Sequence, residues 1–239
     1  MFVNADLVIT TTHYVAAEFR AYLAARGLPV PRILVVQLPA QLANCSRRTS
    51  KHSSLDANQF RLLTVSTWEP RKNLPRLLRS LVQAQSITNK TISLTIVGSH
   101  GMYTNYIDEV RHLLTGMSNV TTFEWIDNET LVALYDRHDA AIYPSWEEGF
   151  GLPIMESLWM ATPCICHSGS SMAEIAPGGG TVLVDMLDET AIASAICKLA
   201  ESPSDIAMLR NQATSRALMS WFDYAHMIND GLASEQSRA

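Results

Sequence analysis

Four cysteines in 239 residues are too few to staple a fold of this length, because disulfide scaffolds carry them far more densely. The thiols therefore read as reduced and mostly buried. Basic charge is not in excess either. Eighteen Lys and Arg stand against 23 Asp and Glu, a net charge of −5, which argues against a nucleic-acid reader held on phosphates. Charged residues amount to only 17%, below the usual quarter, so disorder is excluded as the main state. Nowhere is there an apolar run of about 18 residues, the length that a membrane-crossing helix needs. The opening MFVNADLVIT lacks a charged stretch followed by an apolar one and does not read as a secretory signal. These features give a cytoplasmic expectation, extended to the inner face of a membrane. P-loop, nucleophile elbow, Ser-His-Asp set, Asp-x-Asp and helical His pairs are all missing, so no metal or cofactor is expected. One cluster, CICH at Cys164, Cys166 and His167, invites a metal reading. On a strand, however, the two cysteines share one face and the histidine takes the other, so core packing is favoured.

What the chain does have is a hydrophobic share of 47% and a regular alternation of strand and helix patterns. ADLVIT, a helical stretch with Val15, Phe19, Tyr22 and Leu23 on its stripe, and RILVVQL read as strand, helix, strand. Thr12 is the expected cap and Gly27 the expected stop. This unit, 1–43, has too little surface to bury its own apolar faces. Residues 44–59 are polar and Ser-rich and read as a solvated linker, with Arg47, Arg48 and Lys51 as its basic cluster. From Phe60 the alternation runs to residue 220. It includes a helix with Leu74, Leu77, Leu78, Leu81 and Val82 on one stripe and a last helix over 205–220. A tail follows over 221–239. The pattern argues an α/β fold, a doubly wound parallel sheet with strands buried on both faces.

Ligands of such sheets bind outside the carboxyl ends of the strands, so three loops stand out. TWEPRKN, 67–73, places Arg71 and Lys72 just before a helix start, with Asn73 as its expected cap. Two cations beside a helix N-terminus suit a diphosphate, although a plain charged turn fits equally well. GSHGMYT, 98–104, holds Gly98 in a tight turn. PSWEEGFGLPIME, 144–156, places Gly149 and Gly151 around Phe150 and Pro153 in the first turn of a helix. Its two carboxylates, Glu148 and Glu156, can face one crevice across the bend and accept hydrogen bonds from hydroxyls.

These residues carry a family resemblance. EEGFGLPIME resembles the Glu-x7-Glu signature of retaining GT-B glycosyltransferases of group 1 (family 4). TVSTWEPRKN, LTIVGSHG and the block 123–185 resemble further parts of the same family, over about 60–221. The resemblance implies a Rossmann-like donor-binding domain, the GT-B C-terminal half, over 60–220. Residues 1–43 would be a β-α-β remnant of the N-terminal acceptor domain, and 221–239 a crossover tail. It implies that Glu156 holds the ribose and that Glu148 meets the donor sugar. Lys72, aided by Arg71, would neutralise the leaving diphosphate. Gly98, Gly149, Phe150, Gly151 and Leu152 would line the donor, and Glu174 would stand near it. The implied activity is hexosyl transfer, mannosyl above all, from a nucleotide sugar to a glycan or lipid-linked acceptor in polysaccharide biosynthesis. Members with EPRKN often use GDP-mannose, and UDP-sugars stay open. Two positions depart from the family pattern. Thr67 stands near a common arginine, and Ala161 replaces a glycine, with Trp159 adding bulk beside it. The missing length implies a truncated form that binds donor but transfers poorly alone. The alternative is a non-catalytic binding module needing a separate N-terminal partner. Peripheral membrane contact and homo-oligomerisation through 1–43 complete the expectations.

Overall fold

The computed structural model describes residues 5–42, 45–50 and 55–236. The first unit is strand β1 (Leu7–Thr10), helix α1 (His13–Ala24) and strand β2 (Arg32–Val35), the two strands being parallel. Thr12 caps α1 by accepting from Val15 N, and Gly27 takes a positive φ just past its end. Ala16 and Leu23 are the residues that α1 buries. Tyr22, expected on the buried stripe, is exposed instead and lies under the Arg26 guanidinium, 3.6 Å from its ring centroid.

The larger unit contains β3 (Gln59–Val65), α2 (Leu74–Ile87), β4 (Thr91–Val97), α3 (Thr104–Leu114), β5 (Val120–Phe123) and α4 (Asn128–Arg137). It continues through β6 (Ala140–Tyr143), α5 (Leu152–Trp159), β7 (Cys164–His167), α6 (Ser170–Ile175), β8 (Thr181–Val184), α7 (Glu189–Glu201) and α8 (Pro203–Ser215). Its six parallel strands lie in the order β5-β4-β3-β6-β7-β8. The expected doubly wound α/β sheet is therefore present. The direction of winding reverses between β3 and β6, and in such sheets the crevice opens at that point.

Both faces of the sheet are covered, which explains the apolar, non-alternating strands. Phe60, Leu62, Ile92, Leu94, Ile96, Ile142 and Ile165 enter one core with α2 and α7. Leu63, Val97, Tyr143, Cys164 and Cys166 enter the other with α5. The paired cysteines thus share a buried face as the strand period requires. Burial pushes the Cys164 thiol up to about 12, the behaviour of packing residues. On α2, Leu74, Leu77, Leu78 and Leu81 are buried, and each contributes about 1.5–3 kcal/mol by leaving water. Val82, expected on that stripe, is 60% exposed. One residue past Leu81, it has rotated about 100° off the face.

Three further expectations change. The chain after residue 216 is not one helix and a tail. α8 ends at Ser215, and a new helix α9 (Trp221–Gln236) begins. A reciprocal cap starts it, with Asp223 N donating to Ser220 Oγ and Ser220 N to Asp223 Oδ2. α9 lies against the first unit. A Cβ added to Gly231 would come within 2.6 Å of Leu34 Cδ2, and Trp221 Nε1 donates to Gln41 O at 3.2 Å. The linker, expected to be solvated, is fastened at Cys45, Arg47 and Arg48, while Asp56, Ala57, Asn58 and Gln59 are exposed. The Arg47 guanidinium donates to the carbonyls of Ala213, Thr214 and Arg216 at the end of α8. Arg48 forms a two-point pair with Asp136, and Trp159 Nε1 donates to Cys45 O. Lys51 lies outside the described residues. The short helix α6 has no counterpart in the sequence pattern, because six residues are too few to show a period.

Candidate active site

A cleft of about 710 Å³ opens at the switch point, in the size range of small-molecule sites. Its walls come from the loops after β3, β4, β5 and β6 and from the first turn of α5. Arg71, Lys72, Glu148, Glu156, Gly98, Phe150, Gly151 and Leu152 all line it. Sequence positions spread over 86 residues therefore meet in one place.

Backbone geometry sets the loops. After β3, residues Pro70–Lys72 form one 3-10 turn, and Asn73 follows in the left-handed region at φ 58. Asn73 occupies the N-cap position of α2 but makes no side-chain cap there. Its amide donates to Met186 O at 2.6 Å and Pro144 O at 3.2 Å instead, tying together the loops after β3, β6 and β8. Trp146 N also donates to Arg71 O, at 3.1 Å. Gly98 is required by contact, since a Cβ there would sit 1.9 Å from Ser66 O. Gly151 opens α5 at φ 106, a left-handed conformation that suits glycine.

The two carboxylates differ sharply. Glu148 Oε1 gathers Lys72 Nζ at 2.5 Å, Arg71 Nη1 at 2.6 Å, Ser145 Oγ at 2.8 Å and Tyr143 OH at 2.9 Å. Burial raises its pKa, but Lys72, Ser145 and Tyr143 outweigh burial and hold the carboxyl below the usual range. Burial likewise pushes the Lys72 ammonium down against the pull of Glu148. Arg71, also bonded to Glu69 at 3.2 Å, is lowered by burial, yet Glu148 overrides this and its net shift is upward. Glu156 accepts no side-chain hydrogen bond among the described residues, and desolvation alone pushes its pKa up to about 7. One wall thus holds an ion cluster gathered on Glu148 Oε1, while the other holds a carboxylate with no side-chain donor among the described residues.

Two expected residues face elsewhere. Gly149 is not on the cleft wall; its carbonyl accepts from Thr11 Oγ1 at 2.7 Å, and a Cβ there would meet Val15. Glu174 does not line the cleft either. Its two oxygens accept from His13 N and Tyr14 N, both at 2.9 Å, capping α1 from α6. These contacts dock the first unit onto the glycine loop. The sequence reading missed Tyr143 and Ser145 in the ion cluster, and Trp125, which lines the cleft while 81% exposed. Their signal was position alone, each lying at or just after the carboxyl end of a strand.

A doubly wound parallel sheet with a cleft at its switch point is a Rossmann-like α/β domain. The chain belongs to the glycosyl transferases group 1 family, whose model matches residues 59–202. It is 27% identical over 227 residues to O-antigen chain mannosyltransferase B of Escherichia coli, covering 91% of this chain and 58% of that protein. The chain therefore spans little more than half the length of that relative. Sucrose-phosphate synthase from Thermosynechococcus elongatus superposes with a TM-score of 0.76 at 22% identity, over 100% of this chain and 60% of that one. Anabaena Alr3699/HepE, solved in complex with UDP and glucose, gives 0.71 at 19% identity, over 98% and 64%. The fold is that of GT-B glycosyltransferases.

Proposed function

We propose that this chain binds a nucleotide sugar in the switch-point cleft and serves a retaining mannosyl transfer from GDP-mannose. The acceptor would be a glycan or lipid-linked glycan of a surface polysaccharide. Glu156 accepts from the ribose hydroxyls and Glu148 from hydroxyls of the donor sugar. Lys72 and Arg71 stabilise the charge that develops on the leaving diphosphate, often the largest catalytic contribution. One observation carries the reading. A carboxylate without donors, Glu156, stands in the same cleft as a cation pair held by a second carboxylate. A desolvated acceptor facing a cleft is suited to a diol, and adjacent cations to a diphosphate. The mannosyl assignment draws support from the O-antigen relative, and a nucleotide donor from the UDP complex of the structural neighbour.

The test is calorimetric titration with GDP, UDP and ADP, and then with their sugars, on wild type and Glu156→Ala. The expected result is binding of a guanine nucleotide that the variant loses. Preference for UDP would overturn the donor, and no binding by any nucleotide would overturn the reading. Retention would be read from the proton coupling at the product's anomeric carbon.

A further inference from the structure

We infer that Tyr143 is a positioning residue for both charged groups of the donor site, an inference that rests on the function proposed above. Tyr143 is the last residue of β6, the strand at the winding reversal, and its backbone is fixed by pairing with Cys166 on β7. Its ring is buried, so the hydroxyl has one location. That hydroxyl lies 2.5 Å from Lys72 Nζ and 2.9 Å from Glu148 Oε1. A phenol both accepts and donates, so it takes a hydrogen bond from the ammonium and gives one to the carboxylate.

Counting donors shows what this arrangement achieves. An ammonium has three N–H groups. One goes to Glu148 and one to Tyr143, which leaves one for the cleft that Lys72 lines. On the carboxylate, all the bonds described fall on Oε1, leaving Oε2 for a ligand. Among the described residues, the hydroxyl of Tyr143 is the neutral group that touches both Lys72 and Glu148, and it does so from a strand rather than a loop. When a diphosphate draws the cations from Glu148, Tyr143 remains as the fixed acceptor that aims Lys72.

The test uses the 239-residue chain and measures GDP and UDP binding across pH for wild type, Tyr143→Phe, Lys72→Met and the double variant. Tyr143→Phe removes one atom and keeps the ring, and thermal melting verifies that each variant is folded. The expected result is an affinity about tenfold weaker for Tyr143→Phe, the scale of one charged hydrogen bond. The alkaline limb of the binding profile should move to lower pH, because the ammonium has lost an acceptor that favours its charged form. In the Lys72→Met background, Tyr143→Phe should change affinity little. An unchanged affinity and profile, or the same loss in both backgrounds, would overturn the inference, since a purely structural tyrosine does not depend on Lys72. The two levels fail differently. If wild type binds neither nucleotide, the proposed function falls and takes this inference with it. If wild type binds, Glu156→Ala loses binding and Tyr143→Phe binds as wild type does, only the inference falls.

Discussion

Glu148 and Glu156 belong to one ten-residue segment and line one cleft, yet they sit in opposite electrostatic regimes. Glu148 is held ionised by two cations and two hydroxyls, and burial only partly opposes them. Glu156, on the second turn of α5, accepts no side-chain hydrogen bond among the described residues, and its pKa is pushed up to about 7. The lesson is one of division of labour. The Glu148 corner gathers its donors on one carboxylate oxygen and contributes to the stability of the loops it joins. The Glu156 corner leaves a polar group unmatched, which costs stability and leaves it able to bind.

That contrast can be broken from either side. The largest effect is expected from Glu148→Gln, which leaves Lys72 without its anion and Arg71 with Glu69 as its remaining carboxylate. Breaking a buried pair in this way should cost about 3 kcal/mol, read from denaturant unfolding at pH 7. Since the folded carboxyl is held low, this contribution is present above the ordinary carboxylate range and is lost as pH falls through its folded pKa. The difference between wild type and variant should accordingly shrink in acid. A variant as stable as wild type at pH 7 would remove the contrast.

Glu156→Gln should act in the opposite direction. The folded chain keeps this carboxyl protonated up to about 7, whereas the unfolded chain ionises it near 4.5. Between those values the folded state holds the extra proton, so wild-type stability falls as pH rises. The variant escapes that fall. It should match wild type below pH 4.5 and exceed it above pH 7 by on the order of 2–3 kcal/mol, while donor binding weakens. A thermal melt series across pH checks this, and parallel curves would refute it.

Asn73→Ala tests the clamp beneath the Glu148 corner. It strands the carbonyls of Met186 and Pro144 and puts alanine at φ 58, for a loss of about 2 kcal/mol in unfolding free energy. The smallest effect lies behind Glu156. Ala161, where the family pattern has glycine, takes φ 53. Ala161→Gly should relieve that strain and raise stability by about 0.5–1 kcal/mol, measured as a higher melting temperature.

Local patterns carried much of this structure. Six parallel strands, the helices between them, the Thr12 cap and the face shared by Cys164 and Cys166 follow from periods of 2 and 3.6 and from cap chemistry. A break such as Ser220–Asp223 was also written locally, as a capping pair, and passed unread. The roles of Asn73, Arg47, Glu174 and Tyr143 had no such local signature. Their partners stand from 3 to 169 positions away, and most are backbone atoms, which carry no sequence label.

By itself, then, the sequence determined the order and type of the elements, the family, and four of the charged residues of the cleft, Arg71, Lys72, Glu148 and Glu156. Hydrophobic period and loop placement are properties of neighbouring residues, so they survive in one dimension. Only the tertiary structure decided which carboxylate is ion-paired and which is desolvated without a cation. It also decided that Glu174 and Gly149 turn toward the first unit and that Tyr143 joins the ion pair. Charge state, desolvation and hydrogen-bond partnership depend on what surrounds a group in space, and the winding of the sheet sets those surroundings.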